Sequence, residues 1–485
     1  MDTRISAAPQ PTFNQNAQLL FLQSALTLDN PFNSTQQVLA WVQERNRQVT
    51  VNIERIPFAQ MRNWFIDAEQ TKLQHSSGSF FSIEGINVRT NAGPVPDWDQ
   101  PIINQPEIGY LGIITKEFNG ILYFLLQAKI EPGNVNNVQL SPTLQATKSN
   151  YTKVHQGKTP NYLEYFTDRG RCEILLDQLQ SEQGARFLKK RNRNIIIKTT
   201  EDIPVLEDYC WLTLGQVKEL MRMDNVVNMD TRTVISGISY GNHSDETVRF
   251  YNLVNRPGAS AGPRFLASEL NAQVALHTSD EIIHWFTNLK ARYDLLIKSL
   301  PLHSVRDWVI EDAQIRHKDN KFFRVVGVHV EIGNREVTSW DQPLIEPVQE
   351  GICAFIVKEI HGLLHFLVQA KVESGNFDIL EMAPTVQCIT GSYRNESSLQ
   401  NLPYLSYVLE AAPETVVFDT LQSEEGGRFY REQNRNMILM AGPDFPEETP
   451  ENYTWMTLNQ LKTFIKFNNY LNIQARSLIA AISFQ

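Results

Sequence analysis

Long apolar runs are missing from this 485-residue chain. No stretch approaches the roughly 18 residues that a membrane helix needs. Cysteine is scarce: Cys172, Cys210, Cys353 and Cys388 are scattered, with no C-x-x-C pair. That usage fits a reducing compartment and offers neither a disulfide framework nor a zinc site. Positive charge is in deficit, and a net charge of −10 argues against a general nucleic-acid binder. The opening "MDTRISAAPQPTFNQNAQLL" lacks a basic start followed by an apolar core, so no secretion signal is expected. Familiar catalytic strings are absent too. No G-x-G-x-x-G follows a strand, and there is no Walker A lysine, no H-E-x-x-H and no G-x-S-x-G. His361 and His365 have i, i+4 spacing but span a hairpin and a strand, so no metal site is expected. The expectation is a soluble cytoplasmic protein.

Hydrophobic content of 42% with 20% charge is globular, and the length suits two domains or more. The chain also matches itself. Residues 80–198 lie on 322–440 without a gap, and about a third of the pairs are identical. "WDQP" recurs at 98 and 340, "QSE" at 180 and 422, and "NRN" at 192 and 434. Allowing a two-residue shift outside that range, Trp41, Trp64, Trp211 and Arg232 fall on Trp285, Trp308, Trp455 and Arg476. The reading is an N-terminal segment (1–33), a first unit (34–240), a Gly-, Ser-, Asn- and Pro-bearing linker (241–277) and a second unit (278–485). A period this long is no solenoid, so each unit should have its own core, and the two should pack pseudo-symmetrically.

Within a unit the pattern is mixed. "STQQVLAWVQERNRQ" and "TSDEIIHWFTNLK" open on a capping hydroxyl and repeat apolar residues at helical spacing. "GYLGIITKEFNGILYFLLQAKI" reads as two strands joined at Asn119-Gly120, and "EIHGLLHF" keeps the glycine in the second unit. "RCEILLDQLQSEQGARFLKKRNRN" and "TLGQVKELMR" read as helices. Strands followed by helices on one face make an α+β unit.

The most pointed repeat is "QAKIEPGN" at 127–134 and "QAKVESGN" at 369–376. Strand side chains alternate, so Gln127, Lys129 and Glu131 share one face, as do Gln369, Lys371 and Glu373. Such a row is either a solvated edge or a wall fit for binding and acid–base work. "SEQGARF" (181–187) and "SEEGGRF" (423–429) read as Gly-bearing helical segments whose arginine could take a phosphate, or as a kink with a surface arginine. Trp64 and Trp308, each two residues after an arginine, are either core residues or faces for a nucleobase. The halves differ in charge: 148–198 holds 11 Lys/Arg against 5 Asp/Glu, while 390–440 holds 4 against 7. The first unit is therefore the better electrostatic host for a diphosphate, the alternative being that "LKKRNRN" is only a solvated helix face.

Taken in order, "WDQP", "QAKIEPGN", "QLSPTLQATKSNYTKVH", "QSEQGARF" and "KRNRN", with their second copies, resemble the NDP-hexose 2,3-dehydratase family of deoxysugar biosynthesis over nearly the whole chain. The resemblance implies two Nudix-like mixed-sheet units, a cytoplasmic homodimer and a nucleotide pocket in each unit. It implies loss of water across C2 and C3 of a nucleotide-linked 4-keto-6-deoxyhexose, usually the dTDP sugar, giving the 3,4-diketo-2,6-dideoxy sugar. A downstream 3-ketoreductase is the implied pathway partner. The metal-binding Nudix box is not visible in "SEQGARFLKKRNRN". A base can take the C3 proton beside the C4 ketone, and the C2 hydroxyl then leaves with help from a proton donor. No redox change occurs, so no cofactor is expected.

Carried over residue by residue, the resemblance points to Trp64, Thr147, Lys148, Ser149, Asn150, Tyr151, Ala185 and Arg186 for the first pocket. For the second it points to Trp308, Gln387, Cys388, Ile389, Ser392, Tyr393, Glu424, Glu425, Gly426, Gly427 and Arg428. Catalytic candidates are Glu131, Lys129, Tyr151 and His155, with Glu373, Lys371 and Tyr393 in the second unit. His155 aligns with Ser397 and Lys148 with Thr390, an asymmetry that favours the first unit for chemistry. The rivals are a catalytically silent duplicated nucleotide-sugar-binding module and a Nudix-like diphosphatase.

Overall fold

The computed structural model describes residues 17–147, 159–168, 170–241, 261–333, 337–388 and 402–485. Its helices begin where the capping signals fall. Ser34 and Gln37 form a reciprocal capping box on Thr35–Gln48, and Thr278 with Glu281 does the same for Ser279–Arg292. Thr213 and Thr457 cap Leu214–Leu220 and Leu458–Ile465 in the same way. Both hairpins close as the sequence implies. Asn119 and Gly120 take φ of 50° and 80°, and His361 and Gly362 take 52° and 80°, the left-handed pair that matches strand twist.

Each unit contributes a seven-stranded mixed sheet. In the first, the order runs Glu173–Ser181, Arg191–Lys198, Gly109–Phe118, Ile121–Ile130, Tyr209–Thr213. Val138–Ser141 and Leu144–Ala146 pair with the two central strands. Arg191–Lys198 runs parallel to Gly109–Phe118, and the other pairings are antiparallel. The second unit repeats this from Gly351–Ile360 to Tyr453–Thr457.

The expected helix over 171–194 is a correction: it is two strands and a turn. The apolar spacing of "EILLDQLQ" fits either period. The deciding run is Ile195-Ile196-Ile197, β-branched and buried on both faces of the sheet.

Two smaller five-stranded sheets are built by exchange. Val51–Arg55 of the first unit pairs with Phe323–Ile332 of the second, and Leu295–Leu300 of the second pairs with Ser82–Thr90 of the first. The interior is shared in the same manner. One face of each large sheet keeps a private cluster, around Ile114 and Trp211 in one unit and Ile356 and Trp455 in the other. The opposite faces meet in a single core holding Phe124, Leu126 and Leu212 together with Phe355, Phe366 and Met456. Separate cores for the two units, as the sequence suggests, are thus only half of the arrangement.

Helix ends cross over as well. The Lys218 ammonium donates to the Ala480 and Ile482 carbonyls, and Lys462 donates to Ser236. Each lysine therefore closes the C-terminus of the other unit's last helix, where a cation suits the helix dipole.

Burial leaves titratable groups in this interior. It pushes the Glu381 carboxyl up to about 8 and that of Glu432 to about 8 as well, against neighbouring guanidinium groups that lower both. Both carboxyls hold their protons more tightly folded than unfolded, so their contribution is fully present below about pH 4.3 and is lost as pH rises through about 8. Lys218 and Lys462, pulled down by burial to about 7 and about 8, act oppositely and add stability as pH rises above those values. We expect Glu381→Gln to raise the melting temperature relative to the parent at about pH 8.5 and to change it little at about pH 5, read by differential scanning fluorimetry. An equal shift at both would refute the assignment.

Candidate functional site

The two copies of the "QAK" string do not form a solvated edge. Lys129 is 8% exposed and Glu131 4%, and both line a cavity of about 670 Å³ together with Gln127. Gln145, on the adjoining strand Leu144–Ala146, donates from Nε2 to Glu131 Oε1 at 2.8 Å. Its main-chain carbonyl faces Lys129 Nζ at 3.4 Å, and its own Oε1 faces Asn228 Nδ2 at 3.4 Å. The second carboxylate oxygen of Glu131 is buried with no hydrogen-bond partner among the described residues. The second unit repeats the network: Gln387 donates to Glu373 Oε1 at 2.9 Å, and Asn472 donates to Gln387 at 2.6 Å.

The turn after each string enters the other unit. Gly133 N–H donates to the Gly426 carbonyl at 2.7 Å, and Gly375 N–H donates to that of Gly184 at 2.6 Å. This crossing moves the arginines. Arg428 lines the first cavity, its guanidinium 4.2 Å from the centre of the Phe81 ring, and accompanies Glu425 and Gly427. Arg186 sits in the equivalent place on the other side, 4.3 Å over Phe323 and 3.8 Å from Glu432. Ala185 and Arg186 therefore do not belong to the first pocket, nor Glu425, Gly427 and Arg428 to the second, as expected from sequence. The segments carrying them are turns between strands and not helices, so no helix N-terminus is on offer there.

The other expected residues divide as follows. Trp64 and Thr147 line the first cavity. Trp64 is also a core residue, with its ring centre 4.9 Å from that of Phe81 and edge-on to His75. Trp308 lies opposite, against Phe323, and donates its indole N–H to the Asp99 carbonyl. Gln387 holds Glu373, and Cys388 is buried on the strand Val386–Cys388. Glu424 is buried, accepting from Gln183 and Asn434, while Gly426 accepts from Gly133. Lys148, Ser149, Asn150, Tyr151, His155, Ile389, Ser392 and Tyr393 lie outside the described residues.

"WDQP" acquires a physical role. Asp341 is gripped by the main chain and guanidinium of Arg62, and Asp99 by those of Arg306. Gln342 and Gln100 then reach the Gly427 and Ala185 carbonyls. The aspartates of the string thus tie the two units together, while the glutamines hold the arginine-bearing turn of their own unit. The arginines two residues before Trp64 and Trp308 serve this joint.

Among the lining residues that sequence reading missed are Lys190, Asn192 and Asp230. Two of them, with Glu425, set the sites apart electrostatically. Where the second side pairs Arg186 with Glu432, the first places Lys190 beside Arg428, so two basic groups line the cavity, and burial pulls the Lys190 ammonium below the usual lysine range. Where the first has Asp230 and Glu425, the second has Gln474 and Gln183. The signal was present in the alignment of the halves, as acid-for-amide and lysine-for-glutamate differences. Burial, reinforced by Glu425, Glu182 and Glu131, pushes the Asp230 carboxyl well above the usual range. Burial raises Glu425 too, opposed chiefly by Arg428, and raises Glu182 to about 7. Among the described residues no group of three or more His, Cys, Asp or Glu side chains is arranged to hold a metal ion, and no helix is long and apolar enough to cross a membrane.

A cavity that brings buried carboxyl groups beside basic side chains, walled by both units of a repeated α+β chain, has the make-up of an acid–base enzyme's site. The chain belongs to the NDP-hexose 2,3-dehydratase family, whose sequence model matches it twice, at residues 35–238 and 279–482. It is 46% identical over 462 residues to the dTDP-4-dehydro-6-deoxy-alpha-D-glucopyranose 2,3-dehydratase of Saccharopolyspora spinosa, covering 95% of this chain and 94% of that one. Relatives of the same name from Streptomyces violaceoruber and Amycolatopsis orientalis are 44% and 41% identical. They cover 91% and 95% of this chain, and 96% and 92% of their own lengths.

Proposed function

We propose that this enzyme removes water across C2 and C3 of dTDP-4-keto-6-deoxyglucose, giving the 3,4-diketo-2,6-dideoxy sugar, and that the first cavity does the chemistry. The observation that carries the reading is the inequality of two otherwise matched sites. Only the first combines Glu131 and Lys129 with Asp230, Glu425 and the adjacent cations Arg428 and Lys190.

Arg428 and Lys190 take the diphosphate, since adjacent basic groups hold phosphate oxygens by charge-assisted hydrogen bonds and a bound diphosphate favours the charged form of the lysine. Trp64 and Thr147 receive the nucleoside. Glu131, whose Oε1 is fixed by Gln145 and whose Oε2 is unused, takes the C3 proton. Lys129, two residues earlier on the same face, steadies the enolate that forms at the C4 oxygen. Each unit, 34–240 and 278–485, is read as a Nudix-like module that has kept the sheet and serves elimination. A cytoplasmic homodimer feeding a ketoreductase, which would trap the reactive diketone, completes the reading.

Purified protein incubated with dTDP-4-keto-6-deoxyglucose should yield a product lighter by one water, or its breakdown products with free dTDP, read by mass spectrometry. Intact substrate alongside tight dTDP binding would sink the dehydratase reading. Release of a sugar phosphate would do the same.

A further inference from the structure

An elimination needs a proton donor as well as a base. We propose that Asp230 is that donor: a neutral carboxyl facing the cavity that hands its proton to the departing C2 hydroxyl. The assignment rests on the dehydratase reading above.

Position comes first. Asp230 stands in the first turn of the helix Met229–Ser236, whose cap is Asn228. Asn228 also reaches Gln145, and Gln145 holds Glu131, so a short chain of contacts fixes the proposed acid relative to the base. The side chain is 3% exposed, lines the cavity and makes no hydrogen bond among the described residues. A buried carboxyl left without a partner is costly unless it keeps its proton.

The surroundings enforce that state. Glu425, Glu182 and Glu131 all act on Asp230 to disfavour a further negative charge, and Lys129 opposes them. The helix N-terminus would favour the anion, but one turn of dipole is a modest effect beside burial and three acids. Glu425 also faces the cavity, yet Arg428 beside it favours its anion, which leaves Asp230 as the better donor. The second unit offers a control made by the duplication. Its counterpart is Gln474, whose two amide atoms are buried without partners, so the position there has no proton to give.

The steps balance. Glu131 takes the C3 proton and the electron pair forms the enolate. As the carbonyl reforms, the C2–O bond breaks, its electron pair leaves on oxygen, and the Asp230 proton completes a water molecule. The remaining enol then passes its hydroxyl proton to the Asp230 carboxylate, and Glu131 returns its proton to C2. Both groups finish as they began, without a further reactant.

The test compares two leaving groups in the full-length enzyme. Asp230→Asn should slow water loss from dTDP-4-keto-6-deoxyglucose by about a hundredfold or more, the size expected for losing a general acid. Fluoride needs no protonation to leave. The 2-fluoro analogue should therefore be eliminated by the variant within about tenfold of the parent rate, the difference being the acid's contribution. Binding of dTDP, followed by calorimetry, should stay unchanged. Equal losses on both substrates, or no loss on either, would overturn the assignment. If the amide variant melts early, the same ratio of rates is read in Asp230→Ser. Should the parent enzyme release no water from its own substrate, it is the dehydratase reading that fails, and the two failures are thereby distinguished.

Discussion

Glu131→Gln should lower turnover by about 10²- to 10⁴-fold while leaving dTDP affinity nearly intact. Glutamine keeps the length of the side chain, and its carbonyl oxygen can still accept from Gln145, so the wall stays in place. What disappears is the carboxylate oxygen that is buried and unpartnered among the described residues, on a side chain that lines the cavity. Uniform loss of binding would appear in KM, whereas loss of a group that acts only in proton transfer appears in kcat. The informative comparison is Glu373→Gln, which edits the same network in the other unit. Its loss should be far smaller, because that site has Gln474 and Gln183 where the first has carboxyl groups. Steady-state kinetics on both variants, with calorimetry for dTDP, would reveal a reversed order and so move the chemistry to the second unit.

How much of this could be read from sequence follows from the range of each signal. Caps and hairpin turns act over three or four residues, and Ser34, Thr278 and Asn119-Gly120 stand where their chemistry implied. The duplication was legible because identical strings recur in order. The stretch 171–194 misled because its apolar spacing serves two periods, and the β-branched run that follows it, Ile195-Ile196-Ile197, laid against the strand Gly109–Phe118, decides between them. The exchange of turns lay beyond reach in principle. Nothing local to "SEEGGRF" says that it faces Glu131 in place of Glu373, so Arg428 was assigned to the wrong side. The difference between the sites was nevertheless written in the alignment. It lay in mismatches such as Asp230 against Gln474, outside the shared strings whose mismatches, His155 against Ser397 and Lys148 against Thr390, were weighed.

That same exchange sets the other large expected effect. Gly133→Ala and Gly375→Ala should each destabilise the protein by about 4 kcal/mol or more, the range in which a single substitution points to one named structural cause. Neither glycine has a positive φ, so backbone freedom is not the reason. Space is. A methyl group on Gly133 would lie 1.6 Å from the Phe429 carbonyl oxygen and 2.7 Å from that of Gly426. On Gly375 it would lie 1.7 Å from the Phe187 carbonyl oxygen and 2.7 Å from that of Gly184. The obstacles are backbone atoms, which cannot rotate aside as a side chain can. They are also held: Arg431 N–H donates to the Gly133 carbonyl at 2.7 Å, and Lys189 N–H to that of Gly375 at 2.8 Å. Relief would require parting the two units where Glu131, Glu425 and Arg428 converge, so stability and turnover should fall together. Gly120→Ala supplies the contrast, since φ there is +80° with nothing within 4 Å of the added methyl. Its cost is conformational only, about 1 kcal/mol. Urea melts of the three variants decide the matter: a Gly133→Ala protein no less stable than Gly120→Ala would mean that the turns are not locked into each other as described.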